Sequence, residues 1–138
     1  MTDIVNKKRR SEIMKAVKSR DTSPEILVRR FLFHEGFRFR LNDITLPGKP
    51  DIKLTKHNCL VFVNGCFWHG HKNCSIYVMP KTNSKFWDDK INKNVKRDSR
   101  NIRILKKMGW RVLVVWECDL KGRKAQKTLK KLKKDILN

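Results

Sequence analysis

The chain has no apolar run of 18 residues, so it contains no segment fit to cross a bilayer as a helix. Its opening, Met1-Thr2-Asp3-Ile4-Val5-Asn6, lacks a signal-peptide core. Both absences lead to the expectation of a cytoplasmic protein. In that compartment four cysteines argue for metal or free thiols over disulfides. Acidic residues are also scarce: 13 Asp and Glu stand against 34 Lys and Arg, for a net charge of +21. Such an excess bears on partners rather than on fold, and it favours nucleic acid. A membrane surface fits less well, because the basic segments run through the whole chain. No internal repeat or linker interrupts the sequence. A chain of 138 residues makes one domain, 1–138, with a core of three layers at most.

Hydrophobic periodicity then places the elements. Residues 1–10 end in Lys7-Lys8-Arg9-Arg10 and read as a basic arm, followed by a short helix from about Ser11 to Ser19. Ser23-Pro24-Glu25 predicts a helix start, with serine as cap, and the helix should bury Leu27 and Phe31 and stop at Gly36. Strands are expected over Phe37 to Leu41, Ile52 to Leu54, Leu60 to Val63 and Arg111 to Trp116. A long helix from Ser84 to Met108 should turn Trp87, Ile91, Val95, Ile102 and Leu105 to one side. The region 121–138 holds a basic amphipathic helix, from about Arg123, with Leu129, Leu132 and Ile136 on its apolar face. This order predicts an α/β fold, a mixed sheet flanked by helices.

The segment Cys66-Phe67-Trp68-His69-Gly70-His71-Lys72-Asn73-Cys74 follows the third of these strands. Cys66, His71 and Cys74 suit Zn²⁺, and Cys118, just after the last strand, supplies a fourth ligand if the two strands are neighbours. Four protein ligands leave no open position for water, so the zinc is expected to be structural. Cys59 has no partner at ligand spacing and reads as a core thiol.

Three residues carry possible chemistry, and each has an ordinary reading beside it. His69 is an acid–base group, a substitute zinc ligand or a solvated loop histidine. Asp51, in a Pro-Asp step at the start of a strand, matches the Mg²⁺-binding layout of restriction-type nucleases, or is a turn aspartate. Glu25 adds negative charge near that metal through its waters, or merely complements the helix dipole. The Glu-x-Lys that normally completes the nuclease pattern is missing, since the second strand reads Val63-Asn64-Gly65.

Four blocks in order, Thr22 to Glu25, Leu46 to Asp51, Gly65 to His71 and Gly109 to Cys118, closely resemble the very short patch repair endonucleases. The resemblance implies a restriction-endonuclease-like three-layer α/β/α core. It implies Mg²⁺ on Asp51 and the carbonyl of Val63, His69 as acid or base, and zinc on Cys66, His71, Cys74 and Cys118. It further implies nicking of duplex DNA beside the thymine of a T·G mismatch, left by deamination of 5-methylcytosine within the target of a cytosine-5 DNA methyltransferase. Val63 and Asn64 stand where some members carry threonine and histidine. The first change is harmless if only the carbonyl binds. Phe67 and Trp68 would wedge between bases, joined by Trp87 and, from the other groove, by Met14. Packing within helices is the ordinary reading for Met14 and Trp87. A monomer is expected. The alternatives are an endonuclease for fully paired DNA and a non-catalytic zinc module that only binds DNA.

Overall fold

The computed structural model describes residues 22–71, 74 and 79–138. The expected basic arm, the helix near Ser11 to Ser19 and Met14 lie outside the described residues. The first described helix, α1 (Ser23–His34), is capped by Thr22, whose hydroxyl accepts the Glu25 N–H at 3.4 Å. Ser23 is thus the first helical residue rather than the cap. Its buried stripe is Glu25, Val28 and Leu32. Leu27, expected inside, is exposed, because the helix is rotated by about one residue from the expected phase.

The strand expected over Phe37 to Leu41 shrinks to β1 (Arg40–Leu41). Phe37 instead completes the helix cap. Gly36 takes φ +93, Gly36 N–H reaches the Phe33 carbonyl at 3.1 Å, and Phe37 N–H reaches that of Leu32 at 3.0 Å. Such a cap turns the aromatic ring back under its own helix, and Phe37 is accordingly buried.

β2 (Ile52–Leu54) and β3 (Cys59–Asn64) follow, then α2 (Ser84–Lys107), β4 (Arg111–Trp116) and α3 (Lys124–Leu137). The sheet order is β1-β2-β3-β4, antiparallel in its first two pairings and parallel between β3 and β4. A parallel pair needs a crossover, and the 24-residue α2 supplies it. Side chains alternate across β3. Cys59, Val61 and Val63 face one core with Val28 and Leu32 of α1 and Leu129, Leu132 and Ile136 of α3. Leu60, Phe62 and Asn64 face the opposite side, where α2 lies. The protein is therefore α/β, a four-stranded mixed sheet with three helices among the described residues. The register aligns Asn64 with Trp116, so β3 and β4 end together and the segments after them emerge side by side.

Candidate active site and metal centre

The functional groups gather where β3 and β4 end, the carboxyl edge at which α/β sheets commonly bind ligands. Asp51 arrives from the turn before β2. Lys49 N–H closes that turn on the Leu46 carbonyl at 3.1 Å, and Pro50 is buried. One Asp51 carboxylate oxygen accepts the Val63 N–H at 2.6 Å. In an antiparallel pair a residue's N–H and C=O leave on the same side of the strand, so the Val63 carbonyl faces Asp51 as well. Burial pushes the Asp51 carboxyl up to about 6, against the lowering effect of the Val63 bond. The negative charge of Glu25 adds to the rise, whereas His69 and Arg29 oppose it. All three side chains thus lie within electrostatic reach of Asp51. Glu25 is 6% exposed, and its carboxylate takes the Arg29 guanidinium at 3.1 Å. That burial goes beyond the needs of helix-dipole complementation.

The loop after β3 is wound tight. His69 N–H bonds to the Gly65 carbonyl at 3.2 Å and His71 N–H to that of Cys66 at 2.9 Å. Gly70 sits at φ +64, and a Cβ there would come within 2.7 Å of Val95 and 3.0 Å of Ile91 on α2. Only glycine lets the loop lie against that helix. His69 Nδ1 meets the Asp98 carboxylate at 2.6 Å. A carboxylate only accepts, so Nδ1 carries the hydrogen, and in the neutral ring Nε2 is the nitrogen that keeps a lone pair for proton transfer. Asp98 carries no local signal, being one of many charged residues along α2 and lying 29 positions from its partner.

Phe67 and Trp68 do not stand free. They are half-buried in an edge-to-face cluster with Trp87, at centroid distances of 5.1, 5.7 and 5.8 Å. The Lys90 ammonium lies 5.6 Å from the Trp68 ring and 5.7 Å from the Trp87 ring. Asn94 donates to the Trp68 carbonyl at 3.1 Å. Trp87 therefore joins the two loop aromatics.

The four expected metal ligands also converge. Donor atoms of Cys66, His71, Cys74 and Cys118 all lie within 4.8 Å of one another. His71 Nδ1 is 3.4 Å from each of the Cys66 and Cys118 sulfurs. Ligands around a tetrahedral zinc, bound at about 2.0–2.3 Å, stand roughly 3.5–3.8 Å apart, so this cage needs little adjustment to hold one. Burial pushes the Cys66 thiol up to about 12 and raises that of Cys118. A bound cation is what would draw off those protons. Two further groups, unforeseen from the sequence, brace the cage. The His71 ring stacks on Trp116 at 4.1 Å, and the Glu117 carboxylate accepts the Cys66 N–H at 3.3 Å. Cys59 is buried and takes no part.

A half-buried carboxylate bonded to the Val63 backbone, near an imidazole oriented by a second carboxylate, has the parts of a metal-assisted hydrolase, and the charge of +21 directs it to nucleic acid. Comparison with known proteins narrows this class. Residues 2–75 match the family model described as DNA mismatch endonuclease Vsr. The chain is 50% identical over 123 residues to the type II nicking enzyme V.NmeAIP of Neisseria meningitidis, covering 89% of this chain and 87% of that one. It is 46% identical over 123 residues to the DNA mismatch endonuclease Vsr of Escherichia coli, covering 89% and 78%. It is also 46% identical over 120 residues to the type II nicking enzyme V.XorIIP of Xanthomonas oryzae, covering 87% and 88%. The chain belongs to the Vsr family of DNA mismatch endonucleases.

Proposed function

We propose that this protein is a Mg²⁺-dependent endonuclease that nicks duplex DNA beside the thymine of a T·G mismatch arising from deamination of 5-methylcytosine. The observation that carries the reading is the convergence of Asp51, the Val63 backbone and the Asp98-held His69 at one strand end, in a chain of this family. Asp51 and the Val63 carbonyl are hard oxygen donors of the kind Mg²⁺ takes, and the charge of Glu25 favours a cation there. When bound, Mg²⁺ supplies charge neutralisation at the phosphate and acidifies a water. The protein's own residues do the rest. His69 Nε2 handles the proton of the attacking water or of the leaving oxygen, while Asp98 fixes the ring. Phe67, Trp68 and Trp87 enter the duplex as one wedge, with Met14 from the other groove. Unstacking costs a few kcal/mol per step and less at a mispair, so a wedge selects mismatched DNA.

The same proposal assigns zinc, in a structural role, to Cys66, His71, Cys74 and Cys118. It assigns a restriction-endonuclease-like fold to a single domain over 1–138, acting as a monomer in the cytoplasm and held near the nucleoid by DNA. A cytosine-5 DNA methyltransferase is its functional companion. Among the described residues no helix is long and apolar enough to cross a membrane. The test is nicking of one duplex carrying either T·G or C·G at the same position. Cleavage confined to T·G supports the reading, whereas equal rates would make this an endonuclease for paired DNA.

A further inference from the structure

Against His69 and Asp98, on the face of the sheet covered by α2, lies a cavity of about 390 Å³ to which the proposed chemistry assigns no ligand. Its polar lining is Lys49, Asn64, His69, Arg97, Asp98 and Asn101. Two cations and two amides, from the turn before β2, the end of β3 and α2, line it beside the apolar Phe62 and Ile102 and suit an anion, and the one carboxylate among them is already engaged. Asp98 holds His69 at 2.6 Å, and its other oxygen lies 3.9 Å from the Arg97 guanidinium. Lys49 makes no ion pair among the described residues, and Arg97 is 53% exposed. Both cations are therefore open to a ligand.

The turn that carries Lys49 is shaped by the cavity wall. Gly48 takes φ +78, and a Cβ on it would sit 3.2 Å from Phe62 and 3.3 Å from the Asn101 amide. Lys49 itself is left-handed at φ +49, a conformation disfavoured for a residue with a side chain. The backbone thus passes close to β3 and α2 and presents Lys49 at the cavity. Because His69 borders both the cavity and the Asp51 site, an occupant would be continuous with the strand being cut.

We propose that this cavity seats a phosphodiester adjacent to the scissile one, gripped by Lys49 and Arg97. The inference rests on the nuclease reading above and adds a subsite to it. It also gives basic side chains a place near the centre, although the second strand lacks the lysine of the restriction-type pattern. Holding the neighbouring phosphate fixes the register of the strand over His69, as backbone contacts do in nucleic-acid recognition generally.

The test is a substitution cycle read by binding in Mg²⁺-free buffer, so that cleavage plays no part. A single uncharged methylphosphonate is placed in turn at each phosphate flanking the nick position, and wild-type protein is compared with a K49Q/R97Q variant. For the wild type, one flanking position should lose roughly tenfold in affinity. The variant should lose a similar factor on unmodified DNA and nothing further at that position. Its slope of log K against log salt should be shallower by about 1. Equal penalties in both proteins at every position, or an unchanged salt slope, would overturn the subsite. Nicking of unmodified T·G duplex by the wild type is scored separately. Its absence would sink the nuclease reading without altering the binding cycle.

Discussion

The two ends of the β3–β4 pair use polar groups in opposite ways. At the start, Arg111 of β4 donates to the carbonyls of Asp135 at 2.9 Å, Ile136 at 2.6 Å and His57 at 3.0 Å. Asn58, left-handed at φ 53, donates to the Gly109 carbonyl at 2.6 Å. Every one of these bonds ends on backbone and ties α3 and the preceding turns to the sheet. At the other end, Asp51, His69 and the aromatic cluster are bonded to Val63, Asp98 and Asn94 and remain partly exposed. One end is a lock and the other a platform. A polar side chain therefore signals function here only when its partners leave a donor or acceptor unused.

Four changes sharpen that contrast. The largest effect belongs to the cage. Structural zinc sites carry roughly 10 kcal/mol or more of apparent binding energy, comparable with a small domain's whole stability. Cys118→Ser should abolish stoichiometric zinc and lower the melting temperature by roughly ten degrees or more. Metal analysis and thermal denaturation check it, and unchanged values would remove Cys118 from the ligand set. At the locked end, Arg111→Ala leaves three carbonyls without their donor. It should cost roughly 2–4 kcal/mol in denaturant unfolding. Nicking by the fraction that remains folded should be nearly normal.

On the platform the pattern reverses. Asp98→Ala removes the group that orients His69 and should slow nicking by about a hundredfold, with a change in unfolding free energy of less than about 1 kcal/mol. A loss of stability as large as that of the Arg111 variant would make Asp98 part of the lock.

The smallest effect is in pH. The Asp51 carboxyl is raised from 3.8 to about 6, so the folded state holds this proton more tightly than the unfolded chain does. Ionising it in the fold costs stability. The cost is complete above about pH 6 and disappears as pH falls toward 4. In Mg²⁺-free buffer Asp51→Asn should therefore stabilise the protein more at pH 7 than at pH 5, as paired melting curves would show. Nicking at limiting Mg²⁺ should fall below about pH 6, where protons compete for the carboxylate, and added Mg²⁺ should restore it.

What the sequence made legible follows the range of each signal. The three helices and the strands Ile52–Leu54 and Arg111–Trp116 are written in local periodicity and in Gly36 and Gly109, and they fall within a residue or two of expectation. The Cys66–His71–Cys74 spacing needed only Cys118 from afar, and the parallel register of β3 and β4 delivers it. Phe37 was misread because an apolar residue after a helix serves a cap as well as a strand. Leu27 was misread because the phase of a helix is set by what packs on it. Asp98, Glu117 and the three-ring contact with Trp87 left no local trace, since each depends on α2 or β4 lying against the loop after β3.

The central claim is that the platform end cuts T·G-mismatched DNA through Asp51. It is tested most directly by measuring both binding and nicking of a T·G duplex by wild-type and Asp51→Ala protein, with Mg²⁺ and with EDTA. The wild type should nick only with Mg²⁺, and Asp51→Ala should bind the duplex but not nick it under either condition. Nicking by Asp51→Ala at the wild-type rate, or wild-type nicking undiminished in EDTA, would contradict it.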